Sequence, residues 1–326
     1  AEREQGITID VAYRYFSTPH REFVVADCPG HIQYTRNMVT GASTADLALI
    51  LVDARHGVVE QTRRHSLLVS LLGVPHLVIC VNKMDLVDYS QERFDAIRDE
   101  FTEFATRLDL HDVTFVPISA LEGDNVVERS DHMKWYQGTT LLHHLETVYV
   151  ASDDNQIDVR FPVQYVIRPH TAEHRDYRGY AGQVAAGVLK PGDEVIVLPS
   201  GFSTTIAAID TADGPVDEAA PGAAVTVRLA DDLDVSRGDM ICRPHNRPAV
   251  SQDLEAMVCW MDATQPLQQR KVYTLKHTSR TVRAMVTDLR YRLDISTMHR
   301  DLDAQALELN EIGRVELRTT EPIFVD

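Results

Sequence analysis

The sequence predicts an α/β domain with a mostly parallel sheet, followed by two antiparallel β-barrel domains. Three observations lead to this prediction. Over roughly the first 150 residues, short β-rich runs alternate with helical periodicity, as in βαβ units. From Ile157 onward the helical stripes give way to short alternating strands separated by turn residues, which is typical of antiparallel barrels. A second break follows where Pro244 and Pro248 flank a polar stretch.

The α/β prediction rests on several strand candidates and one amphipathic helix. The strand candidates are rich in Val, Ile, Leu or aromatic residues, and they are Val11–Phe16, Glu22–Asp27, Leu47–Val52, Leu77–Val81 and Thr114–Ile118. The helix candidate Ser90–Leu108 repeats apolar side chains every three or four residues, with Ser90 as its N-cap. Parallel sheets bind ligands at the carboxyl ends of their strands, so we look for a site there.

The remaining strand candidates fall into two sets. Before the prolines they are Val163–Ile167, Gln183–Val188 and Glu194–Leu198, with a turn at Lys190–Asp193. After the prolines, the apolar run Ala256–Met261 is followed by Val272–Leu275, Thr281–Val286 and Arg314–Arg318. We therefore expect an α/β domain over 1–155, a β-barrel over 156–248 and an incomplete β-barrel over 249–326.

Composition excludes several classes of protein. The 326 residues carry a formal net charge of −17, of which residues 1–155 supply −11 with 24 acidic and 13 basic side chains. This balance argues against nucleic acid as a general partner. No apolar run exceeds six residues, whereas a membrane-spanning helix needs about 20, so we expect no membrane span. The four scattered cysteines do not make a disulfide framework, and we expect a reducing, cytoplasmic location.

The strongest motif is Asn82-Lys83-Met84-Asp85, directly after the apolar run that ends at Val81. The Asp85 carboxylate suits guanine because it can accept hydrogen bonds from both the N1–H and the exocyclic N2–H₂ groups. Asn82 would serve the O6 and N7 side, and the Lys83 stem would lie along the ring. Adenine lacks both donors and would leave Asp85 unpaired. The motif predicts guanine recognition; a polar loop without this function is the alternative for the tetrapeptide alone.

Two further segments follow predicted strands. Asp27-Cys28-Pro29-Gly30-His31 stands where a nucleoside triphosphatase places an acidic residue for Mg²⁺ and a glycine whose N–H meets the γ-phosphate. Ser119-Ala120-Leu121 follows another strand, and a backbone N–H there can donate to guanine O6. Each fragment is weak alone, but together with Asn82–Asp85 they indicate a guanine-nucleotide site.

The segment Gly6-Ile7-Thr8-Ile9-Asp10 precedes the first strand. A threonine there can give its hydroxyl to Mg²⁺ and its backbone N–H to the γ-phosphate. Such contacts would order the loop with triphosphate and release it after hydrolysis. On its own Thr8 is more simply an edge-strand residue, and only the other motifs favour a switch.

Together these motifs resemble the translation-factor class of GTPases, typified by elongation factor Tu. The matching segments are Arg3–Ile9, Asp27–His31, Tyr34–Ala42, Gln61–His65 and Asn82–Asp85. Within the class the chain is most similar to the GTPase (large) subunit of bacterial ATP sulfurylase, through Asp53–Val58, Phe161–Val166, Arg178–Gly182 and Lys276–Thr278. The resemblance implies an α/β P-loop-type GTPase domain followed by two antiparallel β-barrel domains.

The resemblance also implies a role for each matching residue. Thr8 would bind Mg²⁺ in switch I, beside Gly6 and with Ile7 as one side of an apolar gate. Asp27 would hold Mg²⁺ indirectly, Gly30 would sense the γ-phosphate, and His31 would position or polarise the attacking water. The nucleotide-binding residues would be Asp27, Cys28, Pro29, Gly30, His31, Asn82, Lys83, Met84, Asp85, Ser119, Ala120 and Leu121.

For the whole protein, the resemblance implies hydrolysis of GTP with Mg²⁺, coupled to synthesis of adenosine 5′-phosphosulfate from ATP and sulfate by a small catalytic partner subunit. An adenylylsulfate kinase, fused or separate, would be a further partner. Two alternatives stay open: an elongation factor that carries aminoacyl-tRNA, and a non-enzymatic interaction module. The basic stretch Lys276–Arg300 is predicted as a solvated strand face, with docking of a partner subunit or RNA as its alternative.

The chain departs from the family in its phosphate-binding loop. The motif G-x-x-x-x-G-K-[ST] requires a lysine after a glycine, and none of the five lysines follows one. In the family this loop precedes switch I, and further barrel strands follow the third domain. We therefore expect this chain to be a fragment trimmed at both ends. The longer protein would supply the phosphate-binding loop, and the fragment alone would be inactive as a GTPase.

Overall fold

The computed structural model describes residues 8–108, 110, 112–150, 155–169 and 177–326. The chain divides into two compact units. Unit 1 comprises Ala1–Val150, Met257–Leu267 and Tyr291–Gly313, and unit 2 comprises Ala151–Ala256, Gln268–Arg290 and Arg314–Asp326. Within the described ranges, none of the helices has the length and apolar character that crossing a membrane requires.

An antiparallel hairpin opens the described part of unit 1. Strand β1 (Ala12–Ser17) pairs with β2 (Glu22–Asp27), with Ser17 opposite Glu22. The connection over 18–21 is far shorter than the crossover of about a dozen residues that parallel pairing needs. Both predicted strands are therefore confirmed, but they form a separate antiparallel pair instead of joining the parallel sheet described next.

Unit 1 also contains a parallel sheet in the order β3 (Leu47–Asp53), β4 (His76–Asn82) and β5 (Asp112–Pro117). From Leu77 to Val81 the middle strand exposes 1% or less of each residue, as expected of a strand covered on both faces. The register aligns Asp53 with Asn82, and Val81 with Pro117. The carboxyl ends of the three strands therefore lie at one edge of the sheet.

Helices flank these strands. In the described ranges the α-helices are α1 (Thr35–Ala42), α2 (Glu60–Leu71), α3 (Gln91–Ala105) and α4 (Leu141–Thr147), and short 3₁₀ helices span Ile32–Tyr34 and Met84–Val87. The predicted helix over Ser90–Leu108 is confirmed as α3, and the Ser90 hydroxyl accepts a backbone N–H of its first turn. The predicted apolar stripe is buried in the core at Phe94, Ile97 and Phe101.

Unit 2 contains a closed antiparallel barrel. Its strands are β6 (Arg160–Ile167), β7 (Gly179–Gln183), β8 (Glu194–Leu198), β9 (Phe202–Thr211), β10 (Gly214–Val216), β11 (Ala224–Leu229) and β12 (Met240–Cys242). The order β10-β9-β11-β7-β6-β12-β8 closes because β8 also pairs with β9. The barrel predicted for the middle of the chain is confirmed.

One predicted strand of this barrel is wrong. The run Gln183–Val188 is predicted as a strand, but β7 ends at Gln183. Gly187 has a left-handed φ of 72°, and the Val159 backbone lies 2.6 Å from the position that a Cβ at Gly187 would take. The chain therefore turns here, in a conformation that glycine adopts without a steric penalty.

After residue 248 the strands that contain the predicted runs are longer than those runs, and three further strands have two residues each. They are β13 (Ala249–Cys259), β14 (Leu267–Gln268), β15 (Val272–His277), β16 (Arg280–Leu293), β17 (Arg300–Asp301), β18 (Ala306–Leu307) and β19 (Ile312–Val325). One sheet has the order β13-β19-β16-β15 with β17 beside β16, and β14 pairs with β18. The domain boundaries after residues 155 and 248 stay predictions.

Candidate functional site

The Asn82–Asp85 loop leaves the sheet at the carboxyl end of β4. Met84 anchors this loop, because its side chain is fully buried and its N–H donates to the carbonyl of Ile118 at 3.2 Å. Lys83 has a left-handed φ of 63°, which turns the chain sharply. The other three residues of the loop consequently stay at least partly exposed.

Two hydrogen bonds that involve side chains also join this loop to the one that follows β5. The Oδ1 atom of Asn82 accepts the Ala120 N–H at 3.0 Å, and the Ser119 hydroxyl donates to Oδ1 of Asp85 at 2.6 Å. Ser119 is fully buried, whereas Leu121 exposes 86% of its surface. The structure thus brings together predicted site residues from two neighbouring strand ends.

Asp85 retains hydrogen-bonding capacity for a ligand. The residue is half-buried, and in the described part of the chain its carboxylate has no hydrogen-bond partner other than Ser119. An ionised carboxylate accepts about four hydrogen bonds, so further donors are needed to saturate it. The side chain can therefore accept a pair of N–H groups from a planar base.

Lys83 is held by a carboxylate that none of the motifs includes as a site residue. Its Nζ atom lies 2.9 Å from Oδ2 of Asp53, the last residue of β3. Arg55 binds the same carboxylate through Nε at 3.0 Å and Nη2 at 2.6 Å. Hydrogen bonds from Arg55, and then from Lys83, hold the pKa of Asp53 well below its usual range in spite of the opposing effect of burial.

Sequence reasoning missed Asp53 as a member of this site. The available signal is its position directly after the apolar run Leu47–Val52, where the carboxyl end of a parallel strand is expected. The partner of its carboxylate could not be predicted, because that depends on the alignment of β3 with β4.

The Asp27–His31 turn follows β2. Pro29 is buried and Cys28 half-buried, while Asp27, Gly30 and His31 are exposed. Burial, and then the charge of Asp27, raises the pKa of the Cys28 thiol. A thiol with a raised pKa is a poor nucleophile. The turn offers a carboxylate, a backbone amide and an imidazole to solvent.

His31 caps the short helix Ile32–Tyr34. Its Nδ1 atom accepts the Gln33 N–H at 3.3 Å, which places the proton of the neutral ring on Nε2. In this tautomer Nε2 is a hydrogen-bond donor. The geometry therefore suits an imidazole that orients a water molecule by donating to it.

Gly30 is not required by the fold of the described chain. Its φ lies outside the left-handed region, and a Cβ added there would meet nothing within 4 Å. Gly41 is different, because a Cβ there would lie 2.4 Å from Sγ of Cys28. Position 30 thus has open space in which a ligand can approach the backbone.

The predicted switch residues are only partly described. Gly6 and Ile7 lie outside the described residues, and Thr8 is half-buried. Asp27 is exposed, and its carboxylate has no hydrogen-bond or ion-pair partner in the described ranges. A hydroxyl and a free carboxylate are oxygen donors of the kind that Mg²⁺ prefers. In those ranges no group of three or more His, Cys, Asp or Glu side chains is arranged to hold a metal.

The basic stretch Lys276–Arg300 is partly neutralised within the fold. Three of its six basic residues pair with acidic side chains, namely Arg280 with Glu321 at 3.0 Å, Arg290 with Glu316, and Arg292 with Asp301 and Glu311 at 2.8 Å each. Matched charges of this kind favour a solvated strand face over a surface for RNA.

The fold and this edge of the sheet are similar to those of translation-factor GTPases. Three family models match it: Elongation factor Tu GTP binding domain over residues 1–153, Elongation factor Tu domain 2 over 180–242, and GTP-eEF1A C-terminal domain-like over 253–326. Sulfate adenylyltransferase subunit 1 of Bacteroides thetaiotaomicron is 51% identical over 334 residues, covering 100% of this chain and 68% of that protein. The chain belongs to the sulfate adenylyltransferase subunit 1 family.

Longer relatives are also similar. The bifunctional enzyme CysN/CysC of Mycobacterium tuberculosis strain H37Rv is 65% identical over 326 residues, which are 100% of this chain and 53% of that protein. The bifunctional enzyme CysN/CysC of Rhodopirellula baltica is 55% identical over 327 residues, with coverage of 100% and 50%. The chain spans about half the length of these two relatives.

Proposed function

We propose that the protein containing this chain binds GTP with Mg²⁺, hydrolyses it, and couples hydrolysis to formation of adenosine 5′-phosphosulfate from ATP and sulfate by a partner catalytic subunit. The joining of Asp85 to Ser119, and of Asn82 to Ala120, carries the guanine part of this proposal. The relatives named sulfate adenylyltransferase subunit 1 support the sulfate part. Adenylation of sulfate forms a high-energy mixed anhydride and is therefore unfavourable. Hydrolysis of a second nucleotide would supply the free energy that it needs.

In the proposed complex, Asp85 accepts the N1–H and N2–H groups of guanine while the Ser119 hydroxyl keeps its carboxylate oriented. Asn82 uses Oδ1 to hold the Ala120 loop, and its Nδ2 group has no partner in the described part of the chain. That amide can therefore donate to the O6 and N7 side of the base. The Lys83 stem lies along the ring, with Nζ retained by Asp53.

At the phosphate end, Thr8 would bind Mg²⁺ directly and Asp27 would hold it through water. The ion would neutralise charge on the phosphate oxygens. The Gly30 N–H meets the γ-phosphate, and the His31 Nε2–H orients the attacking water. Phosphoryl transfer depends on positioning and electrostatics, so the site needs no covalent nucleophile.

Two partners belong to this proposal. The first is the small catalytic subunit that carries out sulfate adenylation. The second is an adenylylsulfate kinase, fused or separate, which would use the product; the bifunctional relatives support it. The γ-phosphate would bias the segments around Thr8 and Asp27–His31 between two arrangements that the catalytic subunit distinguishes.

The test measures sulfate adenylation by the full-length protein with its catalytic subunit, in GTP, in a non-hydrolysable GTP analogue and without guanine nucleotide. We expect slow GTP hydrolysis by the protein alone, faster hydrolysis with the subunit, and extra adenylylsulfate only with GTP. Adenylation that is unchanged when GTP is withheld would reject the coupling. Salt-dependent, micromolar or tighter binding of aminoacyl-tRNA would instead favour an elongation factor.

A further inference from the structure

Asn310 contacts two elements of unit 1 that are distant from it in sequence. Its Nδ2 group donates to the Ile32 carbonyl at 3.0 Å, one residue after His31. Arg64 of α2 donates from Nη1 to the Asn310 carbonyl at 2.8 Å. Asn310 is only 7% exposed. One buried residue therefore touches both α2 and the short helix that His31 caps.

The loop around Asn310 is itself well anchored. Its φ of 66° lies in the left-handed region, which asparagine tolerates better than most residues. The Asn310 N–H donates to the carbonyl of Trp260 at 2.6 Å. Nearby in sequence, Ile312 is fully buried in the same core cluster as Met38 and Ala42 of α1. Asn310 is thus a fixed support for its partners.

The Ile32 carbonyl accepts three hydrogen bonds. One comes from Asn310, and the other two come from Thr35, through its backbone N–H and through its hydroxyl at 2.7 Å. Both Thr35 donors belong to the turn itself, so Asn310 is the one of the three that ties the peptide beginning at Ile32 to a distant part of unit 1. That peptide leads to Gln33, whose N–H is the donor that holds the His31 ring. Removing the Asn310 donor would loosen the peptide and, with it, the imidazole.

We propose that Asn310 is a positioning residue for His31 in GTP hydrolysis. The inference rests on the proposed GTPase function of the His31 turn. Asn310 acts through the backbone of Ile32 and does not hold the base or the phosphates in the proposed complex. Its loss should therefore slow hydrolysis and leave GTP affinity nearly unchanged.

Two substitutions remove the donor with little change of backbone. Asn310→Gly keeps the left-handed conformation, and Asn310→Asp keeps the shape of the side chain but puts an oxygen against the Ile32 carbonyl. Single-turnover hydrolysis and equilibrium binding of GTP are measured in the full-length protein. We expect both variants to hydrolyse bound GTP about fivefold to tenfold more slowly, the scale of one hydrogen bond, with Kd changed less than about twofold.

Arg270→Gly is the matched control. Arg270 is exposed in unit 2 and has a left-handed φ of 63°, so the same replacement by glycine should change neither rate nor affinity. If both Asn310 variants hydrolyse GTP at the wild-type rate, or lose only affinity, the positioning role is overturned and the GTPase proposal stands. If the wild-type protein neither binds nor hydrolyses GTP, both proposals fall.

Discussion

The ion pair between Lys83 and Asp53 joins the carboxyl ends of two neighbouring parallel strands. The Lys83 Nζ atom lies 2.9 Å from Oδ2 of Asp53, and the strand register places Asp53 beside Asn82. Because the ion pair restricts the lysine side chain, less conformational entropy is lost when its stem lies along a base. Asp53 thus preorganises one wall of the proposed base site.

Replacing Asp53 by asparagine should weaken guanine-nucleotide binding. The substitution preserves shape but removes the charge that holds Lys83. Since an exposed ion pair contributes at most about 1 kcal/mol, we expect affinity to fall about twofold to fivefold. Titration with a fluorescent GTP and a fluorescent GDP measures the effect, which should be the same for both. Asp112→Asn is the control, because Asp112 pairs with His76 at the opposite ends of β4 and β5. Equal affinities of wild type and Asp53→Asn would contradict this role.

The effect of Asp53→Asn on the free energy of unfolding should change with pH only in acid. The pKa of Asp53 is lowered in the folded protein, first by Arg55 and then by Lys83. The contribution of this carboxylate to stability is then complete above the ordinary pKa of about 4, and it is lost as pH falls toward the lowered value. Denaturant unfolding should therefore show a constant difference between wild type and Asp53→Asn from about pH 6 to 8. If the difference in the free energy of unfolding disappears between about pH 6 and 8, a group other than Asp53 is responsible for it.

Asp85→Asn should change which base is bound. Asparagine cannot accept the two N–H groups of guanine in the same way, but its amide can donate to the C2 carbonyl of xanthine. We expect GTP affinity to fall about 100-fold and xanthosine triphosphate to become the better ligand. Competition binding with GTP, xanthosine triphosphate and ATP measures this. Ser119→Ala removes only the orienting hydroxyl and should lower GTP affinity without favouring xanthine. If Asp85→Asn still prefers GTP, Asp85 is not the guanine acceptor.

The parts of the site that lie within one strand end could be predicted from the sequence. The buried run before Asn82 and the sharp polar turn after it are local features, and α3 with its Ser90 cap follows the same logic. The wrong strand at Gln183–Val188 also has a local cause, since the run contains a glycine that turns the chain. Apolar alternation alone does not reveal whether a glycine within it is extended or left-handed.

Contacts between distant segments could not be predicted in the same way. The pairing of Asp53 with Lys83 needs the alignment of two strands, and the contact of Asn310 with Ile32 spans 278 residues of sequence. No periodicity links such positions, because both depend on how complete elements pack. The motifs therefore predict groups that would face a nucleotide, but they do not include the residues that contact those groups from distant segments.

Gly30→Ala should separate ligand binding from folding. The added methyl group meets open space and an ordinary φ, so we expect the melting temperature to stay within about 2 °C of wild type. Discrimination between GTP and GDP should be reduced, because the methyl group stands where the γ-phosphate is proposed to approach. Gly41→Ala is the contrasting variant, since its Cβ would collide with Cys28 and should lower stability. If Gly30→Ala hydrolyses GTP at the wild-type rate, Gly30 is not part of the proposed site.

Substitutions of His31 can test whether its imidazole orients the attacking water by donating a hydrogen bond to it. The ring accepts a backbone N–H at Nδ1, so its Nε2–H is a donor, and a glutamine amide offers a similar donor. We expect His31→Ala to slow hydrolysis of bound GTP about 100-fold, and His31→Gln to recover part of that loss, with GTP affinity changed little in both.

His31→Asn is the control for the helix cap in this test. Asparagine can still accept the Gln33 N–H but is too short to reach the same water, so it should match His31→Ala in rate and wild type in stability. Rates come from single-turnover assays and stabilities from denaturant unfolding. If His31→Gln is as slow as His31→Ala, then orientation by donation is wrong and removal of a proton by the imidazole is favoured. If all three variants hydrolyse GTP normally, His31 has no part in the chemistry.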